Sequence, residues 1–405
     1  MIDPRPSVLV IGAGMYVGGR GAGTDGTVLP ALMQAKEEGL IGKISVAATS
    51  SGSIDTLQTK LNELNSRMGT QVKINGYPTV AVHDPQAYRQ ALADMPKPGC
   101  CIVVVPDHLH AEITSDVIKA GVHPLVVKPL TPTLQEALDL EELAEKHKVH
   151  AAVEFHKRWD ESNILLRQAI ADGKLGELRY ITVEYSQRRM MRDVFGTWLD
   201  RTNIFQYLGV HYIDLVYYLT GAQPIRALAV GQPAQSGSDQ GPGGDSIQTL
   251  IEWELPDTKS RMVSSIVASW IDPDNTSAMS DQGITVVGTE GRYDVDQKHR
   301  GAQLVTQKGG VEDVNPYFSQ IYRDPDGKFG VNGYGPKSII QFLKDVIDVE
   351  AGRRTRHDLI SNRPSFQDCF VSTAVTEAIN ISLALNGEWV AMKDLPASIP
   401  TVGVL

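Results

Sequence analysis

The chain has 405 residues and a formal net charge of −10 at pH 7, and 42% of its residues are hydrophobic. This length exceeds what one small core needs, so the sequence predicts two domains. The acidic balance argues against general attraction to nucleic acid or anionic membranes, and we expect neither as a partner. The N-terminal residues lack the pattern of a signal peptide, and no apolar stretch is long enough to span a bilayer.

Cysteines are sparse, at Cys100, Cys101 and Cys369. The first two are adjacent, and adjacent residues of a strand point to opposite faces, so we expect no disulfide between them. Sparse cysteines favour a reducing, cytoplasmic setting. No cysteine and histidine cluster has the spacing of a structural zinc site, so no metal is expected.

Strands and helices alternate through the first third of the chain. The predicted strands are Ser7–Ile11, Lys43–Ala48, Ala81–His83, Cys100–Val105, Pro124–Val127 and His150–Phe155. The predicted helices are Val28–Glu38, Ile54–Met68, Pro85–Ala93, His110–Ala120 and Leu134–Lys148. This α/β alternation predicts a doubly wound parallel sheet, a Rossmann domain, over residues 1–155.

The pattern changes after residue 155 to successive strands. These are Leu178–Tyr185, Ile225–Val230, Ile247–Leu255, Arg261–Trp270, Gly283–Val287, Gly291–Val295 and Gln303–Thr306, with helices at Val210–Leu219, Lys337–Ala351 and Phe366–Asn386. They predict an α+β domain with an open, mostly antiparallel sheet over residues 156–405, for substrate binding and oligomerisation. The last helix is expected to pack back on the first domain, and Gly231–Gly244 is predicted to be a mobile loop.

A glycine-rich loop follows the first strand. It includes Gly12, Gly14, Met15, Tyr16 and Val17, which we predict to bind a dinucleotide. The first glycine permits a tight turn and the second permits close approach of a pyrophosphate. The third fingerprint position is Val17 rather than glycine, and the alternative is a flexible turn.

The end of the second strand bears on the choice between NAD and NADP. An acidic residue there would bind a ribose diol, but the chain has Ser50 and Ser51. Hydroxyl groups, helped by Arg20 or Lys60, could hold a 2′-phosphate, which slightly favours NADP over NAD. The alternative is that these serines cap the next helix.

Two further strand ends carry polar residues. Pro106, His108 and His110 follow the fourth strand and are predicted to lie by the cofactor, and Lys128 directly follows the fifth. A lysine at the carboxyl edge of a parallel sheet faces the ligand crevice and could serve in proton transfer. The alternatives are a surface lysine and capping or core histidines.

Five motifs in order resemble the glucose–fructose oxidoreductase, inositol dehydrogenase and rhizopine-catabolism family (Gfo/Idh/MocA). Pro106–His110 is similar to the family's Pro-Asn-x-x-His turn, with Asp107 in place of Asn, and Lys128-Pro129 to its Glu-Lys-Pro motif, with Val127 replacing Glu. The others are Phe155–Trp159, with His156 in place of Asn, Gly209–Leu215 and Gly288–Gly291.

The resemblance implies catalytic roles for Lys128, His211 and Tyr207. His211 would take the proton of a substrate hydroxyl while hydride leaves the same carbon for the nicotinamide, and Lys128 would orient that hydroxyl. Tyr207 stands where the family has Asp and cannot supply that charge. It would relay a proton, contact a sugar hydroxyl or fill space.

The resemblance also implies a substrate region. Its predicted members are His156, Arg158, Arg189, Trp198, Tyr207 and His211. Arg189 belongs to a cluster with Arg188, Arg192 and Arg201 that could grip an anionic group. The alternatives are a solvated loop or a subunit contact for the arginines, and core packing for Trp198.

We therefore expect an NAD(P)-dependent oxidoreductase acting on a secondary hydroxyl of a sugar, sugar derivative or cyclitol, as a homodimer or homotetramer. One alternative is a hydrolase or lyase that oxidises the sugar transiently and recycles its cofactor. The other is a dinucleotide-binding regulator without catalysis.

Overall fold

The computed structural model describes residues 5–19, 24–232, 243–360 and 362–400. Chain contacts divide the protein into two compact units. The first comprises Met1–Leu130, Ala137–Trp159 and Tyr317–Asp368, and the second comprises Thr131–Glu136, Asp160–Pro316 and Cys369–Leu405. The chain therefore passes between the units several times, whereas the sequence predicted one boundary after residue 155.

The helices and strands have the following bounds. The strands are β1 (Ser7–Ile11), β2 (Ile44–Ala47), β3 (Asn75–Tyr77), β4 (Gly99–Val103), β5 (His123–Val127), β6 (Ala152–Glu154), β7 (Leu178–Arg188), β8 (Gln223–Gln232), β9 (Ser246–Glu254), β10 (Arg261–Asp272), β11 (Ser280–Gly288), β12 (Arg292–Asp296), β13 (Ala302–Thr306), β14 (Gly310–Val314), β15 (Gln320–Arg323), β16 (Phe329–Asn332) and β17 (Val390–Ala391). The helices are α1 (Met15–Gly18), α2 (Val28–Glu37), α3 (Ser51–Met68), α4 (Ala87–Ala93), α5 (His110–Lys119), α6 (Leu134–His147), α7 (Glu161–Ala171), α8 (Met191–Phe195), α9 (Val210–Thr220), α10 (Tyr334–Glu350), α11 (His357–Ile360) and α12 (Phe370–Ala384).

The first unit contains a parallel sheet with the strand order β3-β2-β1-β4-β5-β6. Its central strands are fully buried, which explains their unbroken apolar sequences. Helix α10 adds Ile339, Phe342 and Leu343 to the same core as strand β1 and helix α2. This order is that of a Rossmann fold, so the predicted doubly wound sheet is confirmed.

The second unit contains a sheet with the order β12-β11-β7-β10-β9-β8-β17. Its strand pairs are antiparallel except for β7 and β10, which run parallel. Strand β10 alternates buried and exposed residues over most of its length, so one face of the sheet is buried and the other is solvated. The predicted open, mostly antiparallel sheet is confirmed.

Local signals explain several element ends. Ser50 caps helix α3, because its side chain accepts a hydrogen bond from the Ser53 N–H, and Gly69 ends that helix at φ 69°. Asp160 caps helix α7 in the same way, through the Ser162 N–H. Helix α7 was not predicted, although an Asp followed by an apolar repeat was its available signal.

Two predicted strands need correction. The predicted strand Ala81–His83 is a loop, in which Val80 and Val82 are exposed and His83 makes a single bridge to Ser50; the edge strand is β3 instead. A short apolar alternation without a buried face does not make a strand. Strand β13 overlaps the predicted Gln303–Thr306 but pairs only with β14, outside the large sheet.

The two C-terminal helices belong to different units. Helix α12 covers much of the predicted Phe366–Asn386 and belongs to the second unit, where it packs on β8 and α9. Helix α10, which overlaps the predicted Lys337–Ala351, belongs to the first unit. Most of the predicted loop Gly231–Gly244 lies outside the described residues.

Candidate functional site

The glycine-rich loop between β1 and α2 has the shape that close approach of a ligand needs. Gly12 has φ +114°, and a Cβ atom there would lie 1.9 Å from the Val104 carbonyl oxygen. A Cβ atom on Gly14 would meet nothing within 4 Å, so open space lies over this part of the backbone. Met15, Tyr16 and Val17 form the short helix α1. The loop therefore offers a cradle of the kind that holds a dinucleotide pyrophosphate.

The serines after β2 take the capping role that the sequence left open. Ser50 caps helix α3, and Ser51 is the first residue of that helix. Lys60, proposed as a helper for a 2′-phosphate, instead lies 3.1 Å from the Asp25 carboxylate. Arg20, the other proposed helper, lies outside the described residues.

The turn after β4 begins at Pro106 and continues as a 3₁₀ turn over Asp107–Leu109. His110 is buried: its Nδ1 lies 2.7 Å from the Pro129 carbonyl oxygen, and its Nε2 lies 2.9 Å from the Val105 carbonyl oxygen. Both ring nitrogens therefore contact the main chain, as the core-histidine alternative expects. His108 is half-buried in the same turn.

Lys128 directly follows β5 and lies in a desolvated position. Burial lowers its pKa to about 7, while the carboxylates of Asp107 and Glu154 oppose that shift. An amine with a pKa near neutrality can exist in both protonation states at physiological pH, which suits a group that handles protons.

His156 lies in an aromatic and acidic setting. Its Nδ1 is 3.0 Å from Glu154 Oε2 and 3.4 Å from the Tyr16 hydroxyl, and its ring stacks on Tyr334 at 5.5 Å. Burial and the Glu154 carboxylate raise the pKa of Tyr16. Glu154 was not singled out from the sequence, although a carboxylate at the carboxyl end of a parallel strand was an available signal.

Arg158, predicted to contact substrate, is buried in the first unit. Its Nη1 lies 2.5 Å from Asp368 Oδ2. This buried ion pair gives the Arg158 guanidinium a structural role within the first unit. We therefore leave Arg158 out of the proposed substrate site.

In the second unit, Tyr207 and His211 lie one helical turn apart. Tyr207 belongs to a π-helical turn, Phe205–Gly209, which runs into helix α9, where His211 is the second residue. Burial raises the pKa of Tyr207 to about 12, against the effect of a hydrogen bond with Gln187. The phenol is therefore neutral at physiological pH and can donate a hydrogen bond.

An aromatic cluster surrounds Tyr207. Phe195 contacts its ring edge-on at 4.5 Å, and it also contacts Trp198 at 4.4 Å and Trp270 at 5.4 Å. Trp198 is half-buried, so packing accounts for one part of its surface while another part stays accessible. Such rings offer a flat apolar face for stacking against a sugar.

The arginines of this region divide into two groups. Arg192 pairs with Asp245, and Arg188 donates to the main-chain oxygen of Thr276 at 2.5 Å. Arg189 and Arg201 are exposed. Of the predicted cluster, only the exposed pair therefore presents guanidinium groups to solvent.

No group of three His, Cys, Asp or Glu residues within the described ranges is arranged to hold a metal ion. Among the helices that the structure describes, none is both long and apolar enough to cross a bilayer.

The strand order β3-β2-β1-β4-β5-β6 behind a glycine-rich loop defines a dinucleotide-binding protein of the Rossmann class. A sequence profile for an oxidoreductase family with an NAD-binding Rossmann fold matches residues 7–155, and one for the GFO/IDH/MocA C-terminal domain matches residues 164–294. Together they span more than half of the chain. The chain belongs to the Gfo/Idh/MocA oxidoreductase family, which confirms the resemblance seen in its motifs.

Curated relatives match parts of the chain. The scyllo-inositol 2-dehydrogenase (NADP(+)) IolW of Bacillus subtilis is 32% identical over 124 residues, which cover 30% of this chain and 34% of its own. The D-glucoside 3-dehydrogenase of Escherichia coli is 28% identical over 149 residues, which cover 36% of this chain and 41% of its own. The matches thus span less than half the length of these relatives.

Solved structures match almost the whole chain. GenD2 from gentamicin A biosynthesis, in complex with NAD, superposes with a TM-score of 0.66 at 18% identity over 96% of both chains. The scyllo-inositol dehydrogenase from Lactobacillus casei, with bound NAD(H) and scyllo-inositol, gives 0.62 at 13% identity over 96% of this chain and 100% of its own. At these identities the similarity shows the fold alone.

Proposed function

We propose that the protein is an NAD(P)-dependent dehydrogenase that oxidises a secondary hydroxyl of a sugar, sugar derivative or cyclitol, reversibly. The observation that carries the proposal is Lys128, a half-buried lysine directly after the carboxyl end of β5, where desolvation lowers its pKa to about 7. Strand β5 lies next to β4 in the Rossmann sheet. Ligands of open α/β sheets bind outside the carboxyl ends of the strands, which is where Lys128 lies. The activities for which IolW and the D-glucoside 3-dehydrogenase are named support this substrate class.

The loop residues Gly12, Gly14, Met15, Tyr16 and Val17 would hold the dinucleotide, with Pro106 and His108 beside it. When bound, the nicotinamide supplies the hydride acceptor. In our proposal Lys128 donates a hydrogen bond from its ammonium group to the reacting oxygen and stabilises the developing carbonyl. His211 accepts the hydroxyl proton, and the neutral Tyr207 phenol donates a hydrogen bond to the substrate.

For the cofactor we propose NADP ahead of NAD, because Ser50 and Ser51 stand where an acidic residue would favour NAD. Because Lys60 pairs with Asp25, the 2′-phosphate would be held by the hydroxyl groups and the N-terminus of helix α3, with Arg20 as the remaining proposed helper. Dissociation constants of the two reduced cofactors, measured by fluorescence titration, test it. Tighter binding of NADH would reverse the assignment.

We propose that the chain forms a homodimer or homotetramer. The solvated face of the large sheet exposes Tyr180, Leu250 and Val263 on three neighbouring strands, β7, β9 and β10. Exposed apolar residues on neighbouring strands of an open sheet face are typical of a subunit interface. Light scattering coupled to size-exclusion chromatography measures the mass, and a monomer at micromolar concentration would contradict the proposal.

The main test is absorbance at about 340 nm, where reduced nicotinamide absorbs. The purified chain is mixed with NAD or NADP and with a panel of neutral and anionic sugars, sugar acids and cyclitols. A rising signal with one of them is expected. Bond cleavage found by mass spectrometry without reduced cofactor would favour the redox-recycling hydrolase, and tight cofactor binding without any turnover would favour the regulator.

A further inference from the structure

Ionisable side chains lie at, or a few residues beyond, the carboxyl ends of three neighbouring parallel strands of the first unit. The strands are β4, β5 and β6, which lie side by side at one edge of the sheet. Asp107 lies in the turn after β4, Lys128 directly follows β5, and Glu154 is the last residue of β6. The carboxyl ends of parallel strands share one edge of a sheet, so one carboxylate follows the strand on one side of the lysine and the other ends the strand on the other side.

The register brings Glu154 close to Lys128. Val127, the residue directly before the lysine, is the Cα partner of Glu154 across the β5–β6 pair. Position 127 is where the related motif Glu-Lys-Pro has its carboxylate, and the chain has an apolar side chain there. In this chain a carboxylate is found instead on Glu154, the partner of Val127 on the next strand.

Both carboxylates are buried and held. Asp107 is 4% exposed, and its Oδ1 accepts a hydrogen bond of 3.0 Å from the His108 N–H. Glu154 is 1% exposed, and its Oε1 accepts a hydrogen bond of 2.6 Å from the Ser338 hydroxyl. Buried carboxylates with fixed partners have few orientations available, so their charges act from defined positions.

The electrostatics agree with this arrangement. Burial lowers the pKa of Lys128 to about 7, and both Asp107 and Glu154 act in the opposite direction. Without them the pKa of the amine would be lower still. The groups facing the lysine therefore favour the ammonium form at the pH of the cell.

We propose that Asp107 and Glu154 are positioning residues that flank Lys128 on the neighbouring strands and hold its ammonium group in place for the substrate. The role toward the substrate in this inference rests on the proposed dehydrogenase function. Glu154 has a second contact that fits the role, because its Oε2 lies 3.0 Å from His156 Nδ1, which is itself 3.4 Å from the Tyr16 hydroxyl of the glycine-rich loop. The carboxylate is therefore linked through His156 to the glycine-rich loop.

The test measures the protonation of Lys128 without substrate or cofactor. The full-length chain is exposed to a trace of acetic anhydride at a series of pH values, and mass spectrometry follows acetylation of Lys128, with the exposed Lys119 in the same sample as the reference. Only the neutral amine reacts, so the midpoint of the reactivity curve reports the ionisation of that lysine.

The variants are Asp107→Asn and Glu154→Gln, which keep size and remove charge. We expect each to lower the midpoint by about one pH unit, the usual effect of one close carboxylate. Glu350→Gln is the matched control, since it removes a carboxylate that pairs with His123 at the other end of β5. The Lys128 midpoint should not move in this variant. In a separate chain, Val127→Glu should raise the midpoint, which keeps the test decisive if a buried carboxylate cannot be neutralised without unfolding.

A Lys128 midpoint that stays unchanged in folded Asp107→Asn and Glu154→Gln chains overturns the inference, even if the enzyme turns over a sugar. The expected shifts in a chain without any dehydrogenase activity would support the flanking carboxylates and overturn the proposed function. With an active substrate in hand, the same variants should shift the high-pH limb of kcat/KM to lower pH. A merely structural role would not move that limb.

Discussion

Arg192 Nη1 lies 2.9 Å from Asp245 Oδ1, and the Arg192 and Asp245 side chains are only 12% and 6% exposed. An arginine that the sequence placed in a substrate-gripping cluster is thus committed to an internal ion pair. Removing one partner of a buried pair leaves an uncompensated charge. We therefore expect Arg192→Ala to lower the free energy of unfolding by about 3 kcal/mol, measured by urea denaturation.

Arg189 provides the contrasting prediction because it is exposed. If it meets anionic substrates, Arg189→Ala should raise KM for an anionic sugar by roughly tenfold and leave KM for a neutral one unchanged. Its urea midpoint should match that of the unaltered chain. Equal changes in KM for both substrates would remove Arg189 from the proposed substrate site.

For the catalytic pair, we expect Lys128→Ala or His211→Ala to lower kcat by roughly 10²–10⁴, the usual contribution of positioned proton transfer. Initial rates at about 340 nm measure the loss. Lys119→Ala, an exposed lysine at the end of helix α5, is the control and should retain full activity. Near-normal turnover in both altered chains would contradict the proposed mechanism.

The Tyr207 phenol should contribute as a neutral donor. Because burial raises its pKa to about 12, Tyr207 keeps its proton across the range in which the enzyme can be assayed. We expect Tyr207→Phe to lower kcat by up to about tenfold, the effect of one uncharged hydrogen bond, without moving either limb of the pH profile. A limb that disappears in this variant would show that Tyr207 ionises during turnover.

Alanine substitutions of the two glycines of the cofactor loop should affect different properties, stability for Gly12 and cofactor binding for Gly14. Gly12→Ala forces a Cβ atom against the Val104 carbonyl oxygen at a backbone angle that disfavours side chains, so we expect a loss of about 3 kcal/mol of stability. Gly14→Ala has room in the folded chain and should keep its stability. It should weaken cofactor binding roughly tenfold in a fluorescence titration, because the new methyl group occupies the cradle.

His150 should make the first unit sensitive to acid. Burial, with the nearby charges of His123, Arg356 and Arg363, lowers its pKa from 6.5 to about 3. Below pH 6.5 His150 is therefore protonated in the unfolded chain, whereas in the folded chain it stays neutral until about pH 3. The free energy of unfolding falls as the pH drops through this window, because protonation favours the unfolded chain. We expect a cost of about 2 kcal/mol between pH 7 and pH 5.

The check compares urea denaturation of the unaltered chain and of His150→Leu at those two pH values. The variant should lose less stability on acidification, by about the same 2 kcal/mol. An equal loss in both chains would assign the acid sensitivity to other groups.

The fold of the first unit was predictable because its strands are buried on both faces and appear as apolar runs between amphipathic helices. The prediction failed at Ala81–His83, where Val82 and the preceding Val80 lie in an exposed loop that imitates the same pattern. Element type follows from local periodicity, whereas the edge strand β3, with Asn75 and Gly76, depends on pairing with β2.

Of the candidate site, the sequence indicated the loop glycines and Lys128, whose positions follow from strand ends. It did not indicate the Arg192–Asp245 pair, because that contact joins residues far apart in the chain. The relation of Glu154 to Lys128 was equally hidden, since it depends on which residues of β5 and β6 are opposite each other.

The first unit takes part of its core from late in the chain, because Ile339, Phe342, Leu343 and Val346 of helix α10 pack with residues near the N-terminus. During synthesis on the ribosome, the nucleotide-binding sheet must therefore wait for most of the polypeptide before its apolar surface is covered. A nascent chain halted before residue 334 would expose that surface to chaperones, and a gene fragment encoding only the first 160 residues would yield an insoluble product.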